Sequence, residues 1–309
     1  MFELMTAGEH TWYMSAPTNV GFYLHAPGKV CMIDVGDQTC AERALEHIRA
    51  RGWELTALYL THSHTDHVSG AAWLRDQTGC RVYAPGISAA AVKHSFLVAT
   101  TLYGGRPCPE MCNKLLLPPP CECSELSPED MPEGLEYRRL DGHDMAQAVF
   151  RTRDGVWFTA DMVISASALE KHRISFVYDI GQHLRSLEEL SGFEGSLFIP
   201  SHDEPCRDIR PLVEVNSAAV REVADDIVEM CSQPRTIDEL IAMALEKYHI
   251  RLYLMQYLLV GQTVRSHISR LLELGRLNAV YSGTSLYFSR VAPAGSREAA
   301  AGNTGKCST

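Results

Sequence analysis

Thr61-His62-Ser63-His64-Thr65-Asp66-His67 is the stretch of this chain whose reading decides the rest. It follows the apolar, strand-like Ala57-Leu58-Tyr59-Leu60 and precedes a small-residue helix start at Ser69-Gly70-Ala71. In an extended chain, residues two apart project to the same side, so His62 and His64 can grip one metal ion together. Once the chain turns, the adjacent Asp66 and His67 can point at a second ion a few ångströms away. Imidazole and carboxylate are the ligands expected for zinc, iron or manganese. The plain alternative is a polar loop that happens to be rich in histidine. The strand-to-helix setting and the residue order speak against it.

The motif resembles that of the metallo-β-lactamase-fold superfamily, whose His-x-His-x-Asp-His is matched at every position. Other pieces that the resemblance leads one to look for follow in order. His143 comes after a glycine in Leu140-Asp141-Gly142-His143, and Asp161 ends the strand-like Val156-Trp157-Phe158-Thr159-Ala160. His202 follows Leu197-Phe198-Ile199-Pro200-Ser201, and Val30-Cys31-Met32-Ile33-Asp34-Val35-Gly36 supplies an early strand ending in aspartate and glycine. One departure stands out. A hydroxyl residue, proline and glycine usually follow that histidine, whereas here it is Asp144-Met145-Ala146. Asp144 either replaces the hydroxyl as a backbone acceptor or lies close enough to alter the charge of the metals.

Carried over, the resemblance implies one metal site of His62, His64 and His143 and a second of Asp66, His67 and His202, with Asp161 bridging them. Two divalent ions about 3.5–4 Å apart would share a bridging hydroxide as nucleophile. Asp66 and Asp161 are then the catalytic carboxylates, Asp66 orienting the hydroxide or returning a proton to the leaving group. Asp34 reads as a hydrogen-bond partner that steadies a ligand. No cysteine enters the set, which is therefore tolerant of zinc, iron or manganese, with zinc the first expectation. The reaction implied is hydrolysis of a small ester or thioester, as in hydroxyacylglutathione hydrolase. The alternative is a phosphodiesterase or ribonuclease of the same fold. Single-iron oxygen chemistry would not need both His67 and His202, and a non-enzymatic module would be expected to have lost ligands.

Composition sets the outer bounds. Hydrophobic residues make up 46% of the chain and charged ones 21%, as in an ordinary globular protein. A formal net charge of -10 repels nucleic acid and anionic membranes, so a small-molecule substrate is expected. Met1-Phe2-Glu3-Leu4-Met5 has neither the basic start nor the apolar core of a signal peptide, and no apolar run approaches transmembrane length. A cytoplasmic location with reduced thiols is the expectation for the ten cysteines. Cys108, Cys112, Cys121 and Cys123 fit no standard zinc-finger spacing and read as free thiols on an inserted loop.

The pattern along the chain is α/β. Thr39–Arg51 and Ser69–Thr78 read as helices, Arg81–Ala84 as a strand, and Ala148–Thr152 with Val156–Thr159 as a hairpin about Asp154-Gly155. The resemblance implies an αββα sandwich, here over residues 1–212. Residues 95–134 break the pattern and read as an inserted loop or lid, with Tyr103 and Arg106 as candidate substrate contacts. His172 and Tyr178 are further candidates, since they fall between Asp161 and His202. The remaining histidines, among them His183 and His267, read as surface or core packing.

From residue 213 to 292 the chain reads as helices with a final hairpin, resembling a winged-helix domain. Thr236 caps the helix Ile237–Lys247 with Glu239 at the capping-box position. The recognition-helix position offers only Arg265 and Arg270. A module that packs against the core or helps form a homodimer is therefore preferred to a nucleic-acid reader. Residues 293–309 read as a disordered tail.

Overall fold

The structure is a computed structural model that describes residues 2–108, 112, 117–171 and 173–292. His172 and the tail from 293 onward, both subjects of sequence expectations, lie outside the described residues. Parallel strands buried on both faces read as apolar runs, and buried runs at 30–33 and 57–59 belong to β4 (Lys29–Ile33) and β5 (Glu54–Tyr59), which centre the larger sheet. Around them β1 (Glu3–Thr6), β2 (Thr11–Ser15), β3 (Val20–Ala26), β6 (Arg81–Ala84) and β7 (Ser124–Glu125) complete a seven-stranded sheet in chain order. The second sheet has four strands in the order β11 (Leu197–Pro200), β10 (Val156–Ala160), β9 (Ala148–Thr152), β8 (Leu135–Arg139).

The two sheets face each other across Tyr23, Ile33, Tyr59, Phe150, Phe158 and Ile199. On the outside of the larger sheet lie α1 (Gln38–Ala50) and α3 (Ala71–Thr78), which follows the short α2 (Thr65–Val68). Their Leu45, Ile48 and Leu74 pack with Phe22, Met32 and Leu58. Next in the chain come α4 (Ile87–Lys93), α5 (Phe96–Tyr103) and α6 (Ala166–Lys171). On the outside of the smaller sheet lie α7 (Ile180–Ser191) and the start of α8 (Arg210–Met230), with Leu187, Leu190 and Val213 against Val149 and Trp157. Four layers result, the αββα sandwich expected.

The helical portion consists of α8, α9 (Ile237–Lys247), α10 (Leu254–Glu273) and the hairpin β12 (Leu277–Ser282)–β13 (Ser285–Arg290). They share a core of Ile227, Leu240, Val264, Ile268 and Phe288. Arg235 pairs with Phe288 beside the hairpin. The expected division between residues 212 and 213 falls inside α8, which packs against both α7 and α10. Two features of the insert differ from a plain loop. Its apolar start forms α5, whose Ala99 packs on Met255 and Leu258 of α10. Its end returns as edge strand β7, and Cys121 and Cys123 are buried beside Cys80 in the core of the larger sheet. Burial pushes the Cys121 thiol up to about 11 and the Cys123 thiol up to about 12.

Candidate metal centre

The histidine motif leaves β5 and turns immediately into α2, with His64 at the N-cap. His62 and His67 are fully buried. Their orientation traces to Asp34, which sits just after β4 at a φ of 57°, a strained value for a residue with a Cβ. Its carboxylate accepts from the Thr61 amide and the Thr61 hydroxyl, each at 2.8 Å, and from His67 Nδ1 at 2.8 Å. Because the Thr61 proton points to Asp34, Thr61 Oγ1 can only accept from His62 Nδ1, 2.9 Å away. Both rings therefore donate from Nδ1 and turn Nε2 inward. Neither Nε2 finds a hydrogen-bond partner.

His143 is delivered by a tight approach. Gly142 has a φ of 118°, and a Cβ there would come within 2.3 Å of the backbone nitrogen of His183 on α7. Only glycine lets the loop lie against that helix. The amides of Tyr178 and Asp179 then donate to the Gly142 carbonyl. Asp144, the departure from the superfamily pattern, acts as an acceptor. It takes the Ser63 amide at 3.1 Å, the Ser63 hydroxyl at 2.7 Å and the Met145 amide at 2.7 Å. Since Ser63 lies between His62 and His64, Asp144 ties the two histidine loops together.

Asp161 follows Ala160, whose φ of 52° accompanies an irregularity between β10 and β11. His202 donates from Nδ1 to the Pro17 carbonyl at 2.8 Å and turns Nε2 toward Asp66 at 3.1 Å and Asp161 at 3.4 Å. The outcome is two groups with a common member. Donor atoms of His62, His64, His143 and Asp161 lie within 4.8 Å of one another, and so do those of Asp66, His67, Asp161 and His202. No cysteine belongs to either group. The chemistry of the donor set suits a cation. Burial alone would lower the His202 pKa, but the carboxylates of Asp161 and Asp66 overrule it and raise it to about 10. Burial drives the His62 and His143 pKa down, the latter to about 3, so these imidazoles stay neutral, the state that binds a metal. Asp161 Oδ1 is buried and lacks a hydrogen bond even though His67 Nε2 stands 3.2 Å away. Buried lone pairs converging without partners are what a metal would satisfy.

The profile of the metallo-beta-lactamase superfamily matches residues 16–202, more than half of the chain. The chain belongs to the metallo-beta-lactamase superfamily. Its similarity to curated relatives is local. It is 40% identical to a hydroxyacylglutathione hydrolase from Bradyrhizobium over 76 residues, 24% of this chain and 29% of that one. It is 33% identical to one from Rhizobium johnstonii over 82 residues, 26% of this chain and 31% of the relative. The chain thus covers less than a third of the length of these relatives. Solved structures share the fold over much more of it. A beta-lactamase domain protein from Burkholderia ambifaria aligns over 94% of both chains with a TM-score of 0.67 at 17% identity. A metallo-beta-lactamase family protein from Thermus thermophilus aligns over 91% of this chain and 99% of its own with a TM-score of 0.68, also at 17% identity.

In this superfamily member both clusters open into one cavity of about 330 Å³. Val98 and Leu102 of α5, Phe176, and Met255 and Leu259 of α10 wall it, with Met162 and Ile164 behind. Phe176 meets the His64 and His143 rings edge-on at 5.1 and 5.8 Å. Of the expected substrate contacts, Tyr103 is 39% exposed and is not among the lining residues. Arg106 lines a separate groove with Phe96 and Leu117. Tyr178 lines a narrow space shared with His64 and Asp144. From the sequence His183 reads as surface or core packing. It lines the cavity from α7, its Nδ1 has no hydrogen-bond partner, and burial lowers its pKa to about 4.

Proposed function

We propose that this chain is a hydrolase that uses two divalent cations, zinc first among them, to cleave a small ester or thioester. The observation that carries the reading is the shared Asp161, which lets one carboxylate serve two neighbouring donor groups. Cations held there would lower the pKa of a water and offset the charge that develops on the reacting carbonyl oxygen. The chain's own residues supply the order. His62, His67 and His202 are each fixed at Nδ1, so Nε2 stays aimed inward without a rotamer search. Asp66, with 47% of its side chain exposed, lines the cavity and would orient the attacking water or return a proton to the leaving group.

Relatives named hydroxyacylglutathione hydrolase favour this class of reaction, over the short span that they share. Nucleic-acid hydrolysis fits less well. The helix that would read a duplex, α10, packs against α5 and α7 and lines the cavity with Met255 and Leu259. A cytoplasmic site of action accords with the cysteines among the described residues, all of them free thiols. No helix among those residues is long and apolar enough to cross a membrane.

The test is hydrolysis of an aryl ester and an acyl thioester by the zinc-loaded chain, the chelator-stripped chain and His202→Ala. Stripping should abolish turnover, and the substitution should lower kcat/KM by at least about 100-fold, the upper end for the loss of a residue that merely supports a ligand. Turnover that survives stripping would overturn the metal reading. A phosphodiester cleaved faster than either substrate would favour the alternative reaction.

A further inference from the structure

The cavity beside the two donor groups is built for something other than a polar substrate. At one end stand His64, Asp66, His143 and Asp161, and the rest of the wall is mainly apolar, with Thr65, Ser175, His183 and Asn216 as its polar members. No lysine or arginine lines it among the described residues. Apart from the two donor groups, His183 is its one titratable lining residue among those described. Asn216 also reaches the wall, but its amide is already engaged by Ile164 and Leu212. Leu102 from the insert and Leu259 from the helical portion face the same space, so two segments added to the sandwich combine to form its apolar side.

Resting on the hydrolase reading, we propose that the substrate carries an uncharged, apolar chain next to its reacting carbonyl, and that α5 and α10 form the sleeve that takes this chain. A glutathione thioester offers no such chain. Its thiol half bears two carboxylates and an ammonium group, which this wall would leave unpaired at a high desolvation cost, and its hydroxyacyl half is small and polar. The volume lies at the small end of the range for ligand pockets, ~300–1,000 Å³. A short or medium chain fills it. Each methylene that moves from water onto the wall should tighten binding about fourfold.

The test separates binding from turnover. Methyl alkyl ketones imitate the ester carbonyl and cannot be hydrolysed. Calorimetric titration of the zinc-loaded full chain with methyl ethyl through methyl octyl ketone should show Kd falling about fourfold per methylene, until the cavity is full. Leu259→Asn and Leu102→Asn, made separately and checked for folding by circular dichroism, should each flatten that dependence. An affinity that does not change with chain length overturns the proposal whatever the activity. In parallel, kcat/KM for aryl esters should climb with acyl or alkyl length and exceed that for an acyl-glutathione. Cleavage of acyl-glutathione ahead of every apolar ester would overturn the proposal and leave the hydrolase reading standing. Length-dependent ketone binding with no ester or thioester cleaved would do the reverse.

Discussion

Asp144→Ala removes the side chain that links the two histidine loops. In the wild-type chain its carboxylate is 5% exposed and accepts from the Ser63 amide, the Ser63 hydroxyl and the Met145 amide. Ser88 stands 3.3 Å away but donates its proton to the Ala146 carbonyl at 2.7 Å, so it loses little. Hydrogen bonds to a charged acceptor contribute about 1.5–3 kcal/mol each, and neighbouring losses do not add fully. A cost of about 3–5 kcal/mol follows, the range for breaking a buried charged network. Burial pushes the Asp144 pKa up, but His64 and the Ser63 and Met145 donors hold it below the ordinary aspartate value. Its contribution is therefore complete above about pH 3.9 and fades as the pH falls through the lower folded value. The assay is urea unfolding of the zinc-free chain at neutral pH, followed by zinc titration of the folded variant. Zinc affinity should fall about 10–100-fold, because His143 and His64 lose their common support. Asp144→Asn, which keeps an acceptor oxygen, should recover part of both losses. A change below about 1 kcal/mol with unaltered zinc affinity would refute the linking role.

Further outcomes follow from other parts of the molecule. Gly142→Ala, which must clear a 2.3 Å approach to His183, should abolish zinc binding at the His143 site while leaving the helical core folded, as competition with a chromogenic chelator would reveal. His267 is buried with its Nδ1 unpartnered, and burial lowers its pKa to about 3. The unfolded chain therefore binds this proton first, so stability is complete above about pH 6.5 and declines as the pH falls toward 3, by about 2 kcal/mol at pH 5. His267→Leu should remove that slope in urea titrations, and an unchanged slope would contradict it. Zinc added at about 100 times its Kd should stabilise the chain by about 2.7 kcal/mol for each ion bound, and chelation should reverse the gain in a thermal melt.

Much of this was legible because it is local. The capping box at Thr236 and Glu239 gives α9 its first turn, and the run Arg81–Ala84 becomes β6 between the bounds read from the sequence. The order of ligand loops could be read for the same reason, since strand ends and glycines punctuate them. What stayed hidden depends on packing between distant segments. His183 lies on a helix whose value to the site comes from its contact with Gly142, a pairing no spacing rule announces. The prolines before Cys121 suggest an exposed loop, yet the chain returns to the sheet edge and buries the thiol. Arg106, expected as a substrate contact because it lies in the insert, lines a groove apart from the cavity that Val98 and Leu102 of α5 wall, upstream in the same segment.

The most direct test of the account is metal content per chain, by elemental analysis of protein purified without added metal, with His67→Ala beside the wild type. His67 belongs to the second donor group alone, so the account predicts about two ions in the wild type and about one in the variant. A single ion per chain, unchanged by His67→Ala, would contradict the two-metal centre on which the proposed hydrolysis rests.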